Sequence, residues 1–173
     1  MKSNLPFWLL ALLGLAGCAG YHLGRVENFG VNKVFIPVFK NKTMVPHIEE
    51  KISNTVIHRF QYDGTIRITP PDDAEAILEG EILKWERKPL RTQSRQLLVT
   101  KEYRLVLTAH VVLRRRDGSV ILNRKKIEGE TTYLVGDDAV ASERQAFPLA
   151  AEDLSKNIVT QVTEGWALQN SLP

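Results

Sequence analysis

Apolar residues recur along the chain at two spacings, and the switches between them mark out its elements. Residues 34–39, Val-Phe-Ile-Pro-Val-Phe, are a nearly continuous apolar run that suits a short buried strand. Pro37 cannot donate a ladder hydrogen bond, so this strand is expected at a sheet edge, or paired on one side only at that point. Asn41-Lys42-Thr43 breaks the pattern. Pro46 suits the first turn of a helix. Ile48, Ile52, Val56 and Phe60 then follow at i+4 spacing, one apolar stripe on a helix of about four turns that Asp63-Gly64 ends. Residues 66–69 read as a short strand and 70–73, Pro-Pro-Asp-Asp, as a turn. In residues 76–85, Leu78, Gly80 and Ile82 alternate with Glu79, Glu81 and Leu83, the mark of a half-buried strand. Residues 87–96 are polar and basic and contain Pro89, so a loop is expected there.

Period two is clearest over residues 97–113. Leu97, Val99, Tyr103, Leu105, Leu107, Ala109, Val111 and Leu113 share one face, with Lys101 as the exception, and the other face is mostly polar. Arg116-Asp117-Gly118 turns the chain into a second strand over 120–133. A two-residue Asp-Gly loop would set Leu105 opposite Glu130 and Leu107 opposite Glu128. A three-residue loop with Gly118 left-handed instead pairs Leu113 with Ile121, Leu107 with Ile127 and Arg104 with Glu130. The second register matches like with like and charge with opposite charge, so the bulged turn is expected. It leaves Lys125 opposite Ala109 on the apolar face, a misfit that only a bulge or the end of the core would relieve.

Ser142 with Gln145 resembles a capping box. Ala146, Ala150, Leu154, Ile158 and Val162 then form a long i+4 stripe. Pro148 is tolerated only in a first turn, so the continuous helix is expected to begin near it. Strand, helix, strands with one long hairpin, and helix add up to an α+β fold: a small, mostly antiparallel sheet of about four strands with two amphipathic helices packed on one face.

The first residues follow a different logic. Lys2 precedes an apolar stretch over residues 5–15, too short to span a bilayer, and Leu15-Ala16-Gly17-Cys18 follows at once. This order resembles the bacterial lipobox, which implies cleavage before Cys18, diacylglycerol on its thiol and acylation of the new N-terminus. Cys18 is the single cysteine, so no intramolecular disulfide is possible, and modification would consume a thiol otherwise at risk in an oxidising compartment. Ala19, rather than Asp, is the pattern that permits sorting to an outer membrane. The expected organisation is a signal peptide over 1–17, a lipidated tether over 18–33, one domain over 34–168 and a short tail over 169–173.

Charge narrows the choice of chemistry. The chain carries a net +3 over 173 residues, or +2 once the signal and its Lys2 are removed, too balanced for a general nucleic-acid binder. His22, His47, His58 and His110 make no short metal spacing, and no phosphate loop or Gly-x-Ser-x-Gly is present, so neither an enzyme nor a cofactor is expected. Asp72-Asp73 and Asp137-Asp138 sit in turn-like segments and read as solvated carboxylates. Basic residues do cluster: Lys84, Arg87, Lys88, Arg91 and Arg95, then Arg114 to Arg116, then Arg124 to Lys126. They suit either a sheet edge guarded by charge or an anionic partner such as phosphorylated lipid or an acidic protein surface.

Taken in order, these pieces resemble a known family. Cys18 is followed by Gly20-Tyr21, then by Ile36-Pro37-Val38-Phe39 with Asn41 and Thr43. A helix opening Pro46-His47-Ile48-Glu49 comes next, then residues 74–82 with Leu78-Glu79-Gly80, the hairpin from Tyr103-Arg104-Leu105, and a helix before Trp166. The order is similar to the LptE family of lipopolysaccharide-assembly lipoproteins. The resemblance implies a lipid-anchored domain on the periplasmic side of the outer membrane that plugs an LptD-type β-barrel, binds lipopolysaccharide and assists its passage to the outer leaflet. No motif carries binding positions across, so charge alone nominates Arg91, Arg95, Arg115 and Lys126 for lipopolysaccharide. The other class in play is a lipoprotein activator of a peptidoglycan synthase, or a curli-type secretion component, which share the run from lipobox to Val-rich strand and Asn-Thr turn.

Overall fold

The computed structural model describes residues 30–92, 101–136 and 138–164. The two i+4 stripes become helices: α1, Ile48–Asp63, and α2, Ala139–Thr163. Every stripe residue is buried, from Ile48 to Phe60 on α1 and from Ala146 to Val162 on α2. Between and before them lie the strands β1 (Lys33–Phe35), β2 (Lys40–Asn41), β3 (Arg67–Ile68), β4 (Ala76–Thr92), β5 (Lys101–Arg115) and β6 (Val120–Val135).

The fold class is the expected α+β, with six strands rather than about four and a mixed sheet. β4, β5 and β6 form an antiparallel meander, while β1 runs parallel to both β3 and β4, and β2 pairs parallel to β4. The parallel pairing of β1 and β3 needs a crossover, and α1 supplies it. The apolar run over 34–39 is therefore not one edge strand. It breaks after Phe35 and resumes at Lys40, and Pro37 falls in the break, where no ladder bond is required of it. The helices run side by side in the same direction. Ile48 and Lys51 face Val140 and Phe147, while Arg59 and Tyr62 face Glu152 and Ser155.

Two glycines set the packing distance. A Cβ on Gly129 would overlap the backbone of Leu154, so its absence lets α2 lie directly on β6. A Cβ on Gly80 would enter the Phe39 ring, which rests on β4 at that point. At the same contact α2 also satisfies main-chain groups of the edge strand β6: Asp153 accepts from the Glu130 amide at 2.9 Å, and Asn157 donates to the Glu128 carbonyl at 2.8 Å.

The hairpin turn is the expected one. Gly118 has φ 88°, its amide donates to the Arg115 carbonyl, and Arg114 pairs with Val120. The register then slips twice, so that Leu113 meets Leu122, Ala109 meets Ile127 and Leu107 meets Gly129 instead of Ile127. Arg124, at φ 40°, sits in the second slip. These bulges move Lys125 from Ala109 to Val111, another residue of the inner face, and Lys125 itself is exposed there. Two other expectations are corrected. Residues 87–92 continue β4 rather than forming a loop; Pro89 is accommodated beside a bulge, where β4 is paired through β5. The closing helix begins at Ala139 and runs through Pro148. Its cap is Asp138, whose carboxylate accepts from the Val140 and Ala141 amides at 2.9 and 3.0 Å. Ser142 donates to the Asp138 carbonyl from inside the first turn.

Candidate binding surfaces on the outer sheet face and its far end

The meander has two faces of opposite chemistry. Leu105, Leu107, Ala109, Val111 and Leu113 of β5 are wholly buried beneath the helices. On the reverse face charged residues meet in opposite-sign pairs, some along one strand and some between strands. Glu86 forms ion pairs with Lys84 and Lys88, Glu81 with Lys42 and Arg124, Glu130 with Arg104, and Glu128 with Lys126 at 2.7 Å. Arg104 and Glu130, expected directly opposite, meet diagonally, because Arg104 pairs in register with Thr132. Val106 and Thr108 are buried on this face too, roofed by the longer charged side chains beside them.

This pairing changes the meaning of the basic cluster. The Lys126 ammonium donates to Glu128, which holds its own pKa up and pulls that of Glu128 down. Arg116 donates to the Asp72 carbonyl at 2.6 Å and Arg114 to that of Gly118 at 3.3 Å, so these two turn arginines bind main chain. The four residues nominated for an anionic ligand are not brought together. Arg91 pairs in register with Glu102 near one end of the sheet, Arg115 with Ala76 at the other, and Lys126 with His110 between them. Glu102 and Arg115 stand at opposite ends of β5, about 40 Å apart at ~3.4 Å per residue. Arg95 and Cys18 lie outside the described residues.

The far end of the inner face carries a feature that the residue pattern did not reveal. A bulge between Ile82 and Lys84 shifts the phase of β4, so that Trp85 and Arg87 pair with Leu107 and Leu105 and share their face. Trp85 Nε1 donates to Glu143 of α2 at 2.7 Å, and Arg87 meets the same carboxylate at 3.3 Å. The Trp85 ring stacks on Phe147 at 5.1 Å, and Arg87 lies over the Tyr103 ring, itself against Tyr133. Burial, with the Glu143 charge behind it, raises the Tyr133 pKa above its ordinary value. The one available signal was that Trp85 falls three positions after Ile82, out of phase with a period of two.

Among the described residues no cluster of His, Cys, Asp and Glu could hold a metal ion, and no helix is long and apolar enough to cross a membrane.

Comparison with known proteins gives this geometry its context. The model of the LptE family, described as lipopolysaccharide-assembly, matches residues 31–162. The chain belongs to that family. Its members are lipoproteins that work in lipopolysaccharide assembly and are not enzymes. No curated protein is significantly similar to the chain in sequence. Solved structures share the fold. A minor lipoprotein from Acinetobacter baumannii superposes with a TM-score of 0.55 at 15% identity, over 79% of this chain and 95% of that one. A hypothetical protein from Chlamydia trachomatis gives 0.53 at 12%, over 77% and 96%. An uncharacterised lipoprotein B from Nitrosomonas europaea gives 0.51 at 16%, over 88% and 94%.

Proposed function

We propose that this member of the family is anchored through lipid on Cys18 to the periplasmic side of the outer membrane. There it docks in and plugs an LptD-type β-barrel, binds lipopolysaccharide and assists its assembly into the outer leaflet. The observation that carries the reading is the family match over residues 31–162, which takes in almost the whole described domain. The anchor rests on the order of charge, apolar core and Leu15-Ala16-Gly17-Cys18. Three acyl chains would hold the protein stably, since at ~0.8 kcal/mol per buried methylene one chain anchors marginally and two or more anchor firmly.

Arg91, Arg95, Arg115 and Lys126 remain the nominees for the anionic headgroup, now in two ranks. Lys126 is engaged by Glu128, and Arg115 stands at the other end of the sheet from Arg91. Arg91 and Arg95, close together in the chain, therefore lead. Reversing both charges is expected to weaken lipopolysaccharide binding about tenfold, the loss of one or two charge-assisted contacts, with the thermal transition unchanged. Unaltered binding would remove both from the site. Growth with a fatty-acid analogue should label the protein and leave Cys18→Ser unlabelled; label on that variant would refute the anchor.

A further inference from the structure

Where the two helices begin, the molecule leaves a groove of about 530 Å³. Its floor is Ile48, Trp85 and Phe147, and Val45, Pro46 and Val140 form its apolar rim. Lys51 and Arg144 stand on either side. Lys51 lies over the Phe147 ring at 5.7 Å, and neither cation meets a carboxylate among the described residues. Glu143, the acid of the lining, is turned to Trp85 and Arg87 and so does not neutralise them. Exposed apolar side chains continue outward from the rim: Val140 is 60% exposed and Met44, beside Val45, 99%. The concavity extends down the seam between the helices, past Thr55, Pro148 and Glu152, to Arg59 and Tyr62. From Ile48 to Tyr62 the seam is ~21 Å long at 1.5 Å per residue.

We infer that this groove receives an acidic polypeptide segment of the barrel partner, an apolar side chain seated against Trp85 and Phe147 and a carboxylate between Lys51 and Arg144. The inference rests on the proposed docking in a barrel. Three features choose the occupant. Two cations that make no carboxylate contact, set over an aromatic floor, call for an anion attached to an apolar group. The floor is apolar for only the first part of the seam and then turns to Thr55, Glu152 and Arg59, which would strand an acyl chain but suits the alternating chemistry of a polypeptide. The Trp85–Phe147–Glu143 contacts hold the floor in place before anything binds, so little ordering is required on docking.

The experiment uses the full lipidated chain and the barrel recovered with it from detergent-solubilised outer membranes. Lys51 and Arg144 are exposed, so the double reversal Lys51→Glu/Arg144→Glu should fold normally, shown by an unchanged thermal transition, and should lower barrel recovery about tenfold or more. Lys51→Arg with Arg144→Lys should restore it. A photo-crosslinking residue at Val140 should capture the barrel at an acidic segment, and reversing that segment's charge should rescue the double reversal. Full recovery with the double reversal, or a crosslink from Val140 to lipid or to this chain's own residues, would overturn the groove assignment while leaving barrel docking intact. Failure of the unaltered protein to recover a barrel would instead refute the docking reading itself.

Discussion

The two faces of the β4–β6 meander are made by alternate residues of the same strands, yet they hold the molecule in different ways. On the inner face, apolar side chains are buried to completion and α2 approaches until its backbone touches Gly129. On the outer face, one residue away, Glu130 and its neighbours form exposed ion pairs over a thin buried layer of Val106 and Thr108. The inner face decides the fold, because volume errors there have nowhere to go. The outer face is electrically balanced at short range, so its many basic residues do not add up to a single positive patch.

Adjacent substitutions on β6 should separate these roles most sharply. Gly129→Val would drive its side chain into the Leu154 backbone and should cost more than ~3 kcal/mol, enough to lower or abolish the cooperative thermal transition. A transition within a few degrees of the parent would mean that α2 does not pack there as described. At the next position, Glu130→Gln breaks the pair with Arg104 and should cost no more than ~0.5 kcal/mol, since both partners are well exposed. A loss of several kcal/mol would make the outer network structural.

The two faces should also respond to opposite ends of the pH scale, the smallest of these effects. Burial places the folded pKa of Tyr133 above its ordinary 10.0. Its contribution is therefore complete below that value and lost as pH rises through the folded pKa. The hydrogen bond from Lys126 places the folded pKa of Glu128 below its ordinary 4.5, so that contribution is present above 4.5 and lost as pH falls through the folded pKa. Tyr133→Phe should flatten the alkaline limb of a stability profile and leave the acid limb alone. An unchanged alkaline limb would assign that loss to another group.

The same contrast explains what could be read before the structure was known. The stripes of α1 and α2 and the odd-numbered face of β5 were legible because burial on one side imposes a period that single residues cannot hide. The left-handed Gly118 was legible because its turn chemistry is local. What escaped was set by partners distant in the chain. The two slips in the hairpin, one of them at Arg124, left no local mark in the sequence. The β4 bulge that turns Trp85 inward has meaning only once Glu143, 58 positions later, is seen to accept its hydrogen bond. Asp138 rather than Ser142 caps α2, although the Ser142/Gln145 spacing fitted the usual pattern. The basic residues were legible as a composition and illegible as a surface, because Glu81 and Glu130 reach them across strands and Glu86 and Glu128 pair with them along one strand.

One recovery experiment tests the proposed role in lipopolysaccharide assembly most directly. The lipidated protein, purified gently from solubilised outer membrane, should bring with it a large LptD-type β-barrel in a fixed ratio that survives washing. Recovery of a peptidoglycan synthase in its place, with no barrel, would contradict the proposed role in lipopolysaccharide assembly.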